Sequence, residues 1–451
     1  MMPAAFASFV KKAPLCVMSR IALEGLFDSE RLDRLFERTA QRQYHRELLF
    51  SQVTELMSSV VLRVEDSVHS AFKARKDALG VSNQAVYDKL RCQELAISEA
   101  LVADSAERLT PVIDKLKARF APLLPGYRVR ILDGNHLAAS ERRLRVLRAK
   151  WAKGLPGRVL AVYEPEVDLV TRVFLTPDGH ASERSLLDTV TACVEPNDLW
   201  IADRNFCTLK FQLDLEDAKA CFVIRQHGTM PYQLVGKRRR RGRTATGQVY
   251  EQHVIIKLGN RKLRLRRITV ALDQPTRNGD SEVHVLTNLT AKKATAVQVA
   301  NLYQKRWRIE NRFYEVTQTL ECEPNTLGYP QAALFAFCLA MVAANGVALI
   351  RASLRAVHDP EAVANMSSHY MAKEIRQIVA GMLIVLPADE WKQFGTMRPA
   401  ELAKALRGVA RHVNPARYKK AKRGPKKPPP PKGTFQSGAH VSTYKLIKAA
   451  K

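Results

Sequence analysis

The 451-residue chain is 46% hydrophobic and carries 72 Lys and Arg against 44 Asp and Glu, a net charge of +28. The hydrophobic share excludes a disordered chain, and the length predicts about two to four domains. A charge of that size selects polyanions as partners, nucleic acid before anionic membrane, through counterion release. Seven cysteines (Cys16, Cys92, Cys193, Cys207, Cys221, Cys322 and Cys338) with no C-x-x-C pair predict reduced thiols in a cytoplasmic protein, not a disulfide framework or zinc site.

Helical spacing dominates residues 1–120. Lys11, Lys12 and Arg20 interrupt the apolar N-terminus, which does not read as a signal peptide. Leu32, Leu35 and Phe36, then Leu48, Leu49, Val53 and Leu56, recur near i, i+3, i+4, with Ser29 as the expected cap. Residues 74–92, "ARKDALGVSNQAVYDKLRC", have an apolar helix end, Gly80 as a turn and Ser82 capping a second short helix. That is a helix-turn-helix pattern. It would turn Ser82, Asn83, Gln84 and Tyr87 toward DNA, with Lys89 and Arg91 near phosphate. A helix pair inside a bundle explains the same residues.

Residues 125–225 read as α/β. "YRVRILDGNHL" alternates as a strand, and "GRVLAVYEPEVDLV" and "TRVFLTPDGH" follow with Pro165 and Asp178-Gly179 as turns. A capped helix at 182–193, the apolar strand "DLWIADRNF", a second helix and the strand "CFVIRQH" complete a sheet of mixed direction. Glu164, Glu166 and Asp168 are expected on a solvated strand edge. Residues 226–290 return to β structure as a β-rich insertion. "KRRRRGR" places Lys237, Arg238, Arg239, Arg240, Arg241 and Arg243 in one run, by default a solvated loop and, at this net charge, equally a phosphate contact.

Residues 291–355 are predicted helical. "YQKRWRIENRF" sets Glu310 alone among Lys305, Arg306, Arg308 and Arg312. Salt bridging accounts for that pattern, and so does a metal ion held beside a polyanion. At about 100° per residue, Tyr303, Arg306, Glu310 and Thr317 fall within an arc of about 60°. One stripe then presents a phenol, a guanidinium and a carboxylate, which suits a phosphate pinned beside a metal. Residues 332–350, "AALFAFCLAMVAANGVALI", are long enough to span a bilayer. They hold Asn345 and Gly346 and stand alone, so a helix buried among other elements is expected, with no membrane partner. Residues 356–413 stay helical. From Asn414 to the end at 451, "RYKKAKRGPKKPPPPK" marks a mobile basic arm that adds unspecific DNA affinity.

Two further acids stand where chemistry is expected. Asp133 shares a strand face with Val129 and Ile131, a costly place for a carboxylate unless it is paired or coordinated. Asp203 ends "LWIAD", where open α/β sheets put ligand-binding groups. If those strands are neighbours, the two acids meet at the sheet's rim and Glu310 docks against them. Three carboxylates can hold two divalent ions for phosphodiester chemistry. A turn cap at Asp133 and an ion pair from Asp203 to Arg204 are the structural alternatives.

D-G-N-H-L at Asp133, A-D-R-N-F at Asp203 and Y-x2-R-x3-E from Tyr303 to Glu310 together resemble the catalytic blocks of DDE transposases of bacterial insertion sequences. The last block points to the IS-four branch. The resemblance spans about residues 125–350 and implies an RNase H-like core at 125–225 and 291–355, split by the β-rich insertion. A helical N-terminal domain precedes this core; helices and the basic tail follow it. The resemblance further implies that Asp133, Asp203 and Glu310 bind two Mg²⁺ ions, with Mn²⁺ substituting, and that Tyr303 and Arg306 grip the DNA backbone near the cut. The family signature continues E-x6-K where this chain has Thr317, so the lysine clamp, and any hairpin step relying on it, is not carried over. The implied activity is that of a transposase: it binds the terminal inverted repeats of its element, cleaves there and joins the 3′-OH ends to target DNA. It would act as a dimer on DNA, in the cytoplasm at the nucleoid. A stand-alone endonuclease of the same fold and a domesticated, inactive DNA-binding derivative are the alternatives.

Overall fold

A computed structural model of the chain describes residues 6–44, 47–141, 143–148, 150, 152–276, 279–319, 326–421, 424 and 440–450. Before the first strand come α1 (Ala7–Lys12), α2 (Pro14–Leu26), α3 (Ser29–Thr39), α4 (Phe50–Val61), α5 (Val68–Ala74), α6 (Lys76–Leu79), α7 (Asn83–Arg91) and α8 (Leu95–Leu116). The apolar stripe of α3, Leu32, Leu35 and Phe36, is buried, and Phe36 stacks on Phe50 of α4 with ring centroids 5.5 Å apart. Asp28 caps α3 by accepting from the Arg31 amide, so Ser29 is its first residue and not its cap. Gly80 takes a left-handed φ of 64° at the end of α6, a conformation glycine adopts without a Cβ penalty. Ser82 then caps α7 by accepting from the Ala85 amide.

The strands β1 (Arg128–His136), β2 (Gly154–Leu155), β3 (Arg158–Glu164), β4 (Leu169–Thr176), β5 (Asp198–Ala202), β6 (Cys221–Arg225), β7 (Gln233–Thr244), β8 (Gly247–Leu258), β9 (Arg261–Leu272) and β10 (Glu282–Thr287) follow. All but β2 join one sheet in the order β4-β3-β1-β5-β6-β10-β9-β8-β7. β1, β5 and β6 are parallel neighbours, while β3 runs against both β1 and β4. The β-rich segment is therefore not a detached unit: β10 pairs antiparallel with β6 and carries β9, β8 and β7 outward. Alternation sorts the sheet's two faces. Val129, Ile131, Leu199 and Ile201 join the core that α8 and the later helices cover. Leu132, Trp200 and Phe222 face α10 (Leu187–Thr191) and α11 (Leu209–Asp217), which follow α9 (Arg145–Arg148). The result is a mixed α/β architecture in layers, with a large mixed sheet and many helices.

After the sheet come α12 (Ala296–Gln304), α13 (Trp307–Tyr314), a π-helical turn (Glu315–Thr319) and α14 (Pro330–Arg355). By length and composition α14 could cross a membrane, yet 94% of its most apolar window is buried inside this fold. Asn345 shows why a polar residue sits in that run. Its amide donates to Ser105 Oγ and the Val170 carbonyl and accepts from the Val170 amide, each at 2.9 Å, tying α14 to α8 and β4. α15 (Pro360–Ala364), α16 (Ser368–Val385), α17 (Ala388–Gly395) and α18 (Pro399–Ala410) complete this helical part.

Three expectations change. "KRRRRGR" is not a loop but part of β7, the exposed outer strand of the sheet, with register shifts after Val235 and Arg240. Glu164 and Asp168 are not solvated. Glu164 is buried against Arg128 at 2.7 Å, and Asp168 pairs with the buried Arg312 at 2.5 Å. The region after Asn414 is not uniformly a free arm. Tyr418 is buried and donates to Glu374 at 2.7 Å, and β11 (Val441–Ser442) pairs with β2 before α19 (Thr443–Ala449). The proline run lies outside the described residues.

Candidate active site

Register puts two acids side by side. In the parallel pair of β1 and β5, Arg128 faces Asp198 and each later pair keeps the same offset, to Leu132 facing Ala202. The next residues are Asp133 and Asp203, just past the last parallel pair: Asp203 follows the end of β5, while β1 runs on to His136 paired only with β3. β5 is buried at all five positions, so its apolar run stops where Asp203 emerges. Asp203 accepts from the Asn205 amide at 2.8 Å and caps the short turn Arg204–Phe206. Asp133 accepts from the Gly134 amide at 3.0 Å.

The third block arrives on α12 and α13, but not on one continuous helix. The segment tightens at Lys305–Arg306, where the amides of Lys305, Arg306, Arg308 and Ile309 bond three residues back rather than four. The 100° wheel therefore fails across this joint, and Thr317 lies beyond it on the π-helical turn. Tyr303, Arg306 and Glu310 still converge. Arg306 donates to Asp133 Oδ2 at 2.7 Å and pairs with Glu310 Oε1, so one guanidinium bridges two of the three acids. Its Nε is buried without a partner among the described residues.

The electrostatics place all three acids in one field. Burial pushes the Asp133 carboxyl up to about 7; Arg306 opposes this, while the charges of Asp203 and Glu310 add to it. Burial raises the Tyr303 phenol, with Arg306 pulling it down and Asp203 pushing it up. Against its own desolvation, Arg306 is held above the usual guanidinium range by Asp133, Tyr303 and Glu310. Among the described residues, no three His, Cys, Asp or Glu side chains are grouped to hold a metal ion; at this site Arg306 contacts both Asp133 and Glu310. The donor set nonetheless fits Mg²⁺ or Mn²⁺ by chemistry: the side chains of Asp133, Asp203 and Glu310 offer hard carboxylate oxygens.

The other expected contacts are spread out. Ser82 and Gln84 are exposed at the start of α7, Asn83 is half-buried, and Tyr87 is 38% exposed. Lys89 is half-buried and donates to the Tyr44 carbonyl at 3.3 Å, with its ammonium 4.7 Å from the Phe36 ring centroid. Arg91 pairs with Asp88 at 3.2 Å. On β7, Arg238 bonds Glu282 at 2.7 Å and Arg241 bonds Glu251 at 2.8 Å. Lys237, Arg239 and Arg240 are exposed, and their side chains have no ion-pair or hydrogen-bond partner among the described residues. Sequence reasoning missed Glu183, whose carboxylate lies against Gly134 and accepts from the Asn205 side chain at 2.5 Å. The glycine directly after Asp133 was the available signal.

Residues 124–345, just under half of the chain, match the family described as Transposase DDE domain. That segment contains Asp133, Asp203, Tyr303, Arg306 and Glu310. A Sinorhizobium fredii protein named "Putative transposase y4zB" is 30% identical over 181 residues. The match covers 38% of this chain and 48% of that protein, so the chain spans about half the relative's length. Both matches support a transposase, and the first supports a DDE domain. A cryo-EM structure of a piggyBac transposase synaptic complex with hairpin DNA aligns over 94% of this chain and 87% of that one, at 9% identity and a TM-score of 0.39. At that score the likeness carries no weight.

Proposed function

We propose that the chain is a DNA transposase of an insertion sequence, of the IS-four branch, that cleaves its element's terminal inverted repeats and joins the 3′-OH ends to target DNA. The carrying observation is the convergence of Asp133 and Asp203, matched in register on parallel strands, with a Glu310 near enough to act on Asp133. The strand order β4-β3-β1-β5-β6, with β3 alone running against the other four, supports an RNase H-like core holding them.

In this reading Asp133, Asp203 and Glu310 hold two Mg²⁺ or Mn²⁺ ions, whose chemistry is to activate the attacking water or 3′-hydroxyl and stabilise the leaving oxygen. Arg306 keeps the acids together before DNA arrives, then presents its fork to the phosphodiester, which matches a guanidinium in geometry and charge. Tyr303, beside it, adds a neutral hydroxyl donor, because burial keeps the phenol protonated. Lys237, Arg239 and Arg240 on β7 and the start of α7 are the candidate duplex contacts. Two copies of the chain would pair the two element ends. The test is a supercoiled plasmid carrying the element ends, incubated with Mg²⁺ or Mn²⁺. Wild type should nick and join the DNA, and Asp203→Ala should do neither. Cleavage persisting in Asp203→Ala overturns the proposal.

A further inference from the structure

We infer that Glu183 is a positioning residue for the Asp133–Asp203 pair, locking the turn after Asp203 onto the strand that carries Asp133. The inference rests on those two acids being catalytic, as proposed above.

Glu183 opens a short 3-10 turn (Glu183–Leu186) that Ser182 caps. Its side chain is 14% exposed and sits between the two acid blocks. On one side it occupies the space beside Gly134: a Cβ on that glycine would lie 2.3 Å from Glu183 Oε1 and 2.5 Å from its carboxyl carbon. On the other, Glu183 Oε2 accepts from Asn205 Nδ2 at 2.5 Å. Arg158 Nη1, 3.8 Å from Oε1, supplies the nearby positive charge.

Asn205 is held at three points. Its amide goes to Asp203 Oδ1 at 2.8 Å, its side chain to Glu183, and its carbonyl accepts from Arg184 Nε at 2.7 Å. Neighbouring residues of one turn therefore grip Asn205 by two groups, and Asn205 orients the Asp203 carboxylate through the third. Because Glu183 also fills the notch left by Gly134, it touches the residue directly after Asp133 and the residue two after Asp203. This gives a physical role to the glycine of D-G-N and the asparagine of A-D-R-N. A carboxylate that merely neutralised Arg158 would need neither contact.

The test uses the full-length protein, Mn²⁺ affinity by calorimetry and plasmid cleavage across a Mn²⁺ series. Glu183→Ala should weaken Mn²⁺ binding and raise the concentration for half-maximal cleavage by about 10–100-fold, the usual cost of losing a group that orients a ligand. Glu183→Gln keeps an oxygen for Asn205 and should stay within about threefold of wild type. Gly134→Ala should mimic Glu183→Ala while folding normally, since the clash is with the end of a side chain. The double variant Gly134→Ala with Glu183→Ala should be no worse than Glu183→Ala alone. Three results would overturn the inference: Glu183→Ala within twofold of wild type, Glu183→Gln as impaired as Glu183→Ala, or multiplicative effects in the double variant. Asp133→Ala run alongside separates the two readings: cleavage surviving there sinks the transposase assignment, whereas cleavage lost there but kept in Glu183→Ala sinks only the positioning role.

Discussion

Arg312 lies two residues beyond Glu310 on α13 and is 5% exposed. Its guanidinium reaches Asp168 Oδ1 at 2.5 Å and Glu315 Oε2 at 2.5 Å, linking the Glu310 helix to the β3–β4 turn. Asp168 also accepts from Tyr163 Oη at 2.5 Å, and Glu315 keeps a second cation in Arg351 at 3.2 Å. Arg312→Met retains the stem's packing and leaves two buried carboxylates, one of which keeps Arg351. Breaking a buried pair on one side costs about 3–5 kcal/mol, and the Arg351 contact argues for the lower end, about 3 kcal/mol. Desolvation would raise Asp168 and Glu315, but Arg312 leads the forces that hold both below the usual carboxylate range. Their contribution is therefore present above the ordinary carboxylate pKa and is lost as pH falls through the depressed folded values. The variant lacks that contribution, so its deficit should be full at pH 7 and shrink only below the ordinary carboxylate pKa of about 4, as at about pH 3. Urea denaturation at both pH values measures it, and Asp168→Asn combined with Arg312→Met should recover part of the loss. A deficit below about 1 kcal/mol at pH 7, or one that does not change with pH, refutes the reasoning.

Removing the bridging cation with Arg306→Ala should lower the melting temperature in EDTA and enlarge the gain on adding Mn²⁺, with Mn²⁺ affinity rising about tenfold, ~1.4 kcal/mol. Unchanged or weaker Mn²⁺ binding would show that Arg306 does not compete for the acids. Replacing Lys237, Arg239 and Arg240 by alanine should leave thermal stability unchanged. It should also flatten the salt dependence of duplex binding by about 2.7 log–log units, three phosphate contacts at about 0.9 each. An unaltered slope would take β7 out of the DNA interface.

What the sequence made legible follows physical range. Asp133 and Asp203 stand at the ends of apolar runs, and strand periodicity alone reveals such positions. Tyr303, Arg306 and Glu310 were close enough in the chain for helical geometry to group them, although the tightening at Lys305–Arg306 broke the wheel before Thr317. Contacts between distant segments were not legible. Nothing local marks Glu183 as a partner of Asn205, and nothing near Asp168 says that a buried Arg312 awaits it. "KRRRRGR" hid its strand because six cations in seven residues mask the alternation that identifies β structure. Val441 and Ser442 pair with Gly154 and Leu155 across nearly 300 residues, a distance no composition argument bridges.

Because β7 belongs to the same hydrogen-bonded sheet as β5, the molecule has a built-in ruler. Five inter-strand steps separate them, through β6, β10, β9 and β8. At about 4.8 Å a step, the arginine-rich border lies about 24 Å from the carboxylates. A straight duplex touching both would span about seven base pairs, at about 3.4 Å per pair. That length is set by backbone geometry, so side-chain substitutions leave it unchanged.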